Sequence, residues 1–298
     1  MRTGKFLKFL LILTLVSALD CHFLLAQPNP RYYIQGEKCY DKQQFSKAIY
    51  YFQKGIEQNQ LKALCITGLG RVFYRQEKFK EAEEKFESAL KLDPKQYLAN
   101  KWKGKILVDK GKYRKAIAYF DKAIAANPDK DSPYIFRAGC YSALKEDKSA
   151  LADLNRAIKI DPKPKNFIDR AEVFCNLKMY KEAIADYTRG QKGEWNKDIV
   201  FHRKAFCYEK LGQLNKAAEE FNLLLKQNPK DDEARSKRAE IYLKLDKPQK
   251  ALDDLNFAID NYPFGEPRHL YRLRAQAYRK LGLIEKAKID SEKASSRN

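Results

Sequence analysis

Small and apolar residues recur along this chain at helical spacing, in paired blocks that return every 34 residues. The stretch Tyr97 to Pro128 shows the unit. Trp102, Ile106 and Leu107 mark one helix, with Gly104 between them, and Gly111 breaks the pattern. Ala116, Phe120 and Ala123 then fall on one face of a second helix, at i, i+4 and i+7. Pro128 closes that helix, because proline lacks an amide donor and clashes in a helix interior. The unit is therefore expected to be a helical hairpin.

The same pattern covers most of the chain. One period upstream it carries Gly70, Phe73, Ala82, Phe86, Ala89 and Pro94, and one before that Gly36, Cys39, Ala48, Phe52 and Gly55. Downstream come Ala138, Tyr141, Ala150, Leu154, Ala157 and Pro162, then Ala171, Phe174, Ala183, Tyr187 and Gly190. Ala205, Tyr208, Ala217 and Phe221 follow, then Ala239, Tyr242, Ala251, Leu255 and Ala258, then Ala275, Tyr278, Ala287, Ser291 and Ala294. The eight units run over about 29–62, 63–96, 97–130, 131–163, 164–197, 198–231, 232–267 and 268–298.

This recurring small-x-x-aromatic, Ala-x-x-x-aromatic-x-x-Ala, Pro signature resembles the tetratricopeptide repeat family, from Asn29 to Ala294. The resemblance implies an all-α fold, a right-handed superhelical solenoid of about eight hairpins. It also implies a concave groove, lined by the first helix of each hairpin, that holds ligands. No hairpin buries its apolar face alone, so neighbours must stack. The small residues at positions 8 and 20 are expected to let helices approach closely, with aromatics at 11 and 24 filling the seam. Gln60 and Trp195 stand where Pro is usual, so stacking between the fifth and sixth units is expected to be irregular.

Charge adds a second layer. The net charge of +20 favours acidic partners, anionic membranes or nucleic acid at low salt. Lys and Arg are spread over all units with no basic arm, which weighs against nucleic acid and leaves a solvated surface as the plainer reading. Six cysteines show no CxxC, and three histidines are too few for a zinc pattern. They read as free buried thiols, with Cys140 and Cys175 the candidate pair should the chain be oxidised.

Residues 1–26 break from the repeats. Arg2, Lys5 and Lys8 precede an apolar run from Phe9 to Ala18, and Val16-Ser17-Ala18 and Leu24-Leu25-Ala26 offer small-residue cleavage sites. The stretch reads as a secretory signal peptide, with 27–28 a linker, so the chain is expected outside the cytoplasm: periplasmic, secreted or envelope-associated. A membrane anchor is the weaker alternative, because Asp20 and His22 cut the run short. Cys21 is a candidate lipidation site, although Asp20 departs from the small residue that such signals place before the cysteine.

The later units share a charge pattern. A basic residue at position 7 is followed sixteen residues on by an acid: Arg137 and Asp153, Arg170 and Asp186, Lys204 and Glu220, Arg238 and Asp254, Arg274 and Asp290. The first three units hold Gln35 and Tyr51, Leu69 and Lys85, Lys103 and Tyr119 instead. A ladder of structural ion pairs joining the two helices of each hairpin is expected.

The sequence offers no phosphate loop, GxGxxG, GxSxG or HExxH, and no catalytic residue, cofactor or metal is assigned. The expected function is a non-catalytic scaffold that binds a protein or peptide segment, acidic in character. Carried over by groove position, the resemblance implies Tyr40, Arg71, Tyr74, Arg75, Lys101, Lys105, Ser142 and Phe206 as partner-binding residues, with Arg71, Tyr74, Arg75, Lys101 and Lys105 in a basic, aromatic-edged patch. The fourth unit's small Gly139, Ser142 and Ala143 are expected to deepen the groove beside it. The Lys and Asn set by which some family members clamp a carboxylate is not found. Binding of an anionic polymer or membrane, and a role as an accessory subunit of an enzyme or secretion complex, stand as alternatives.

Overall fold

The computed structural model describes residues 30–193, 197–262 and 267–295. Within them lie sixteen helices and no strand. The signal-peptide reading, Cys21 and Trp195 fall outside the described residues. The chain divides into two compact units, 1–145 and 146–298.

The first unit holds α1 (Arg31–Asp41), α2 (Phe45–Glu57), α3 (Lys62–Arg75), α4 (Phe79–Leu92), α5 (Tyr97–Asp109), α6 (Tyr113–Ala126) and α7 (Asp131–Ala143). The second holds α8 (Asp147–Ile160), α9 (Pro164–Asn176), α10 (Tyr180–Gly190), α11 (Lys197–Lys210), α12 (Leu214–Gln227), α13 (Asp232–Lys244), α14 (Pro248–Asp260), α15 (Arg268–Lys280) and α16 (Ile284–Ser295). In both units consecutive helices pack as hairpins, and each hairpin packs on the next. The fold class is all-α, of the superhelical repeat type.

The turn inside each hairpin is the same device repeated. One residue adopts the left-handed conformation: Gln43, Glu77 and Gly111 in the first unit, and Lys178, Gly212, Asp246 and Gly282 in the second. The amide two positions after the cap then returns to the helix, as from Lys112 to the Leu107 carbonyl at 2.8 Å and from Met179 to Phe174 at 2.8 Å. This satisfies carbonyls that a helix end leaves unpaired.

The core is a file of rings against small residues. Phe52, Phe86 and Phe120 are fully buried, with Ala48, Ala82 and Ala116 beside them in sequence register. Position 8 is small because the adjoining helix brings a ring against it. A Cβ on Gly104 would lie 2.6 Å from the Phe120 ring, and one on Gly70 2.6 Å from Phe86. Each glycine faces the ring of its own hairpin's second helix. Phe52 is also covered from the next hairpin, where a Cβ on Gly68 would come within 2.5 Å. In the second unit the residue at position 8 grows to Ala171, Ala205 and Ala239, against Tyr187, Phe221 and Leu255.

Candidate functional site

The first helices of neighbouring hairpins touch directly in the first unit, α1 with α3, α3 with α5 and α5 with α7, and form one face. Tyr40, Arg71, Tyr74, Arg75, Lys101, Lys105 and Ser142 all stand on these helices. Phe206 stands on α11, in the second unit.

Within the patch one cation, Arg71, is paired with a carboxylate. Arg71 Nη1 donates to both carboxylate oxygens of Glu37 at 2.7 Å, and its guanidinium lies 4.2 Å from the Tyr40 ring centre. Both side chains are largely buried, so this pair is fixed rather than available. The Tyr74 hydroxyl donates to Asp109 at 2.5 Å and accepts from Lys105, whose ammonium sits 4.3 Å over the same ring. Burial, then the Asp109 hydrogen bond, pushes the Tyr74 phenol above its ordinary range. Tyr40 itself is buried. Arg75 is exposed, and Ser142 is half-buried beside an open Gly139.

Lys101 combines partial burial with the lack of an ion pair among the described residues. Its ammonium lies 5.4 Å from the Tyr97 ring centre and 5.8 Å from Trp102, and it makes no ion pair among the described residues. Burial, followed by the positive charge of Arg71, pushes it down to about 8. A half-buried ammonium between two rings and without a carboxylate is a place where an incoming anion gains most. The Trp102 indole N–H is also buried without a partner.

In the second unit Phe206 is 40% exposed and makes an edge contact with Tyr180. With His202, Glu209, Phe221, Lys237, Glu240 and Ile241 it lines a recess of about 180 Å³. Here Lys237 is paired with Glu240 and Lys244 with Glu209.

The ion-pair ladder has a second rail. Arg170 meets Asp186 through two bonds of 2.6 and 2.9 Å, and Arg274 meets Asp290 at 2.7 and 3.0 Å. Arg238 likewise grips Asp254, and Lys204 Nζ lies 2.8 Å from Glu220. Arg137 belongs to the first unit and Asp153 to the second; within its own unit Arg137 pairs with Asp121.

The expected pairing within hairpins is only half of the arrangement. The third donor of Arg170, Arg238 and Arg274 reaches Asn155, Asn222 and Asn256 on the preceding hairpin, at 2.7–2.9 Å. Lys103, assigned no partner from the sequence, pairs with Glu83 and Glu87 of its preceding hairpin. The cation at position 7 therefore fastens consecutive hairpins as well as the two helices of its own. The signal was legible sixteen residues upstream: Glu87 for Lys103, Asp121 for Arg137, Asn222 for Arg238.

The Cys140–Cys175 expectation also changes. All five described cysteines are free thiols, and the sulfur nearest Cys175 is that of Cys207, at 3.3 Å.

Comparison with known proteins points one way. Three models described as tetratricopeptide repeat match, one over 67–131 and 208–266, one over 107–167 and one over 269–298. Among curated proteins no relative matches the chain. Among solved structures, pilF of Pseudomonas aeruginosa superposes with a TM-score of 0.61 at 17% identity, covering 70% of this chain and 96% of that one. A tetratricopeptide repeat protein from Parabacteroides merdae gives 0.53 at 17% identity, over 85% and 99%. YrrB, described as a tetratricopeptide repeat protein with an unusual peptide-binding site, gives 0.52 at 21% identity, over 60% and 92%.

Proposed function

Because the chain belongs to the tetratricopeptide repeat family, we propose that it is a non-catalytic protein-interaction scaffold whose first unit takes an acidic peptide segment at Lys101. The carrying observation is that ammonium, half-buried between Tyr97 and Trp102 with no carboxylate of its own. Of the cations around it, Arg71 is committed to Glu37 and Lys105 to the Tyr74 hydroxyl and ring, while Arg75 is exposed to solvent. A carboxylate delivered to Lys101 would form a charge-assisted bond at the edge of an aromatic surface. YrrB, of the same fold, is described as binding peptide, which supports a segment rather than a small molecule as the occupant. The basic-then-apolar opening of the chain supports a scaffold acting outside the cytoplasm.

The test is capture on an array of acidic, neutral and basic peptides by the wild type and by Lys101→Met. Methionine keeps most of the volume and removes the charge. Acidic peptides are expected to be retained by the wild type and lost by the variant. Equal retention by both would remove Lys101 from the site. Binding of every polyanion with no peptide preference, and with a steep salt dependence, would favour the polymer-binding alternative.

A further inference from the structure

We propose that Cys175 and Cys207 form an intramolecular disulfide that staples the fifth hairpin to the sixth. Cys175 stands near the end of α9 and Cys207 near the end of α11, the first helices of consecutive hairpins in the second unit. Their sulfurs lie 3.3 Å apart, the one sulfur–sulfur contact among the described residues. A disulfide needs about 2.05 Å, so the sulfurs must close by roughly 1.2 Å.

The two thiols differ in access. Cys207 is fully buried, whereas Cys175 is partly exposed. They also differ in acidity. The hydrogen bond from Cys207 lowers Cys175 against the opposing effects of burial and of the Glu172 charge; the same bond, and burial, push Cys207 up. The surroundings are built: Tyr187 Oη donates to Glu172 at 2.7 Å and sits 3.6 Å from the Cys175 sulfur, and Arg203 holds Glu172 at 3.1 Å. The reachable sulfur is thus the better nucleophile, and the enclosed one waits behind it.

The oxidant is a small-molecule disulfide. The Cys175 thiolate attacks one of its sulfurs, forming a mixed disulfide and releasing the other sulfur as a thiolate. Cys207 then gives up its proton and attacks the Cys175 sulfur, which expels the second thiolate. Two protein thiols are oxidised, one reagent disulfide is reduced to two thiols, and two electrons pass to the reagent. The new bond closes a chain loop that includes all of α10 and so restricts the unfolded ensemble.

The test uses the full chain, reduced and then incubated with oxidised glutathione. Titratable thiols are expected to fall by two from the six present, and peptide mapping is expected to join the peptides holding Cys175 and Cys207. The Tm should rise and return on addition of dithiothreitol. In Cys207→Ala, glutathione should remain attached to Cys175. The proposal is overturned if wild-type Cys175 keeps glutathione while Cys207 stays reduced, if the mapped link joins other cysteines, or if neither sulfur reacts. The wild-type map decides the matter even where the variant fails to fold.

Discussion

Removing the Arg274 guanidinium offers the cleanest probe of the ladder. Arg274 spans α15 and α16 by two bonds to Asp290 and reaches Asn256 on α14 with its third donor at 2.9 Å. The Asp290 side chain is 3% exposed, and Arg274 is its one cation among the described residues. Arg274→Met therefore leaves a buried carboxylate without a counterion. Breaking such a pair costs about 3–5 kcal/mol, and the partial exposure of Arg274 places the expectation at about 3. That corresponds to a roughly hundredfold increase in the opening equilibrium of the last hairpin. Native-state hydrogen exchange reads it directly, as faster exchange of the amides of α15 and α16. The paired control is Arg274→Met with Asp290→Leu, which removes the stranded charge and should restore protection to within about 1 kcal/mol of wild type. Exchange in the single variant within a few-fold of wild type would refute the claim that the ladder fastens the hairpins. So would a double variant no better than the single.

The remaining predictions test other joints. Gly104→Ala drives a methyl into the Phe120 ring and should cost about 1–3 kcal/mol in urea unfolding. Gly111→Ala meets no atom within 4 Å but forces an L-residue to φ +68°, so its cost of about 1–2 kcal/mol should come from the backbone alone. Lys101→Met removes a desolvated charge and should stabilise the free protein while abolishing capture of acidic peptides. In the wild type Lys101 is held at about 8, below its ordinary value of 10.5. The unfolded chain binds more protons between these values, so this group's destabilising effect should be relieved as pH rises from about 8 toward 10.5, and Lys101→Met should flatten that rise.

The helices and their pairing were legible because the repeat fixes them through spacing alone. Ala116, Phe120 and Ala123 fall on one face whatever the neighbours are, and all three are fully buried. The reason for Gly104 was not legible, since spacing shows a small residue but not the ring that it faces. The acids at position 23 were found by looking downstream from each cation. The upstream contacts to Glu87, Asp121 and Asn222 were missed, because a hairpin was read as a closed unit when its polar rails run between units. The groove patch was read as positive charge by position. Glu37 lies on the same face and pairs with Arg71, and Asp109 takes the Tyr74 hydroxyl, which reading the cations position by position does not weigh. Lys101 stands apart through a property with no sequence signal: it is desolvated beside Tyr97 and Trp102 while Glu37, the acid on the same face, is engaged by Arg71.

The direct measurement is the affinity of the full chain for an acidic peptide retained on the array, by fluorescence anisotropy at pH 7 and pH 9, for wild type and Lys101→Met. A bound carboxylate raises the Lys101 pKa above its free value of about 8, so the wild type must take up a proton on binding at the higher pH. The account predicts severalfold weaker wild-type binding at pH 9 than at pH 7, and weak, pH-independent binding by Lys101→Met. Wild-type and variant affinities that agree at both pH values would contradict it.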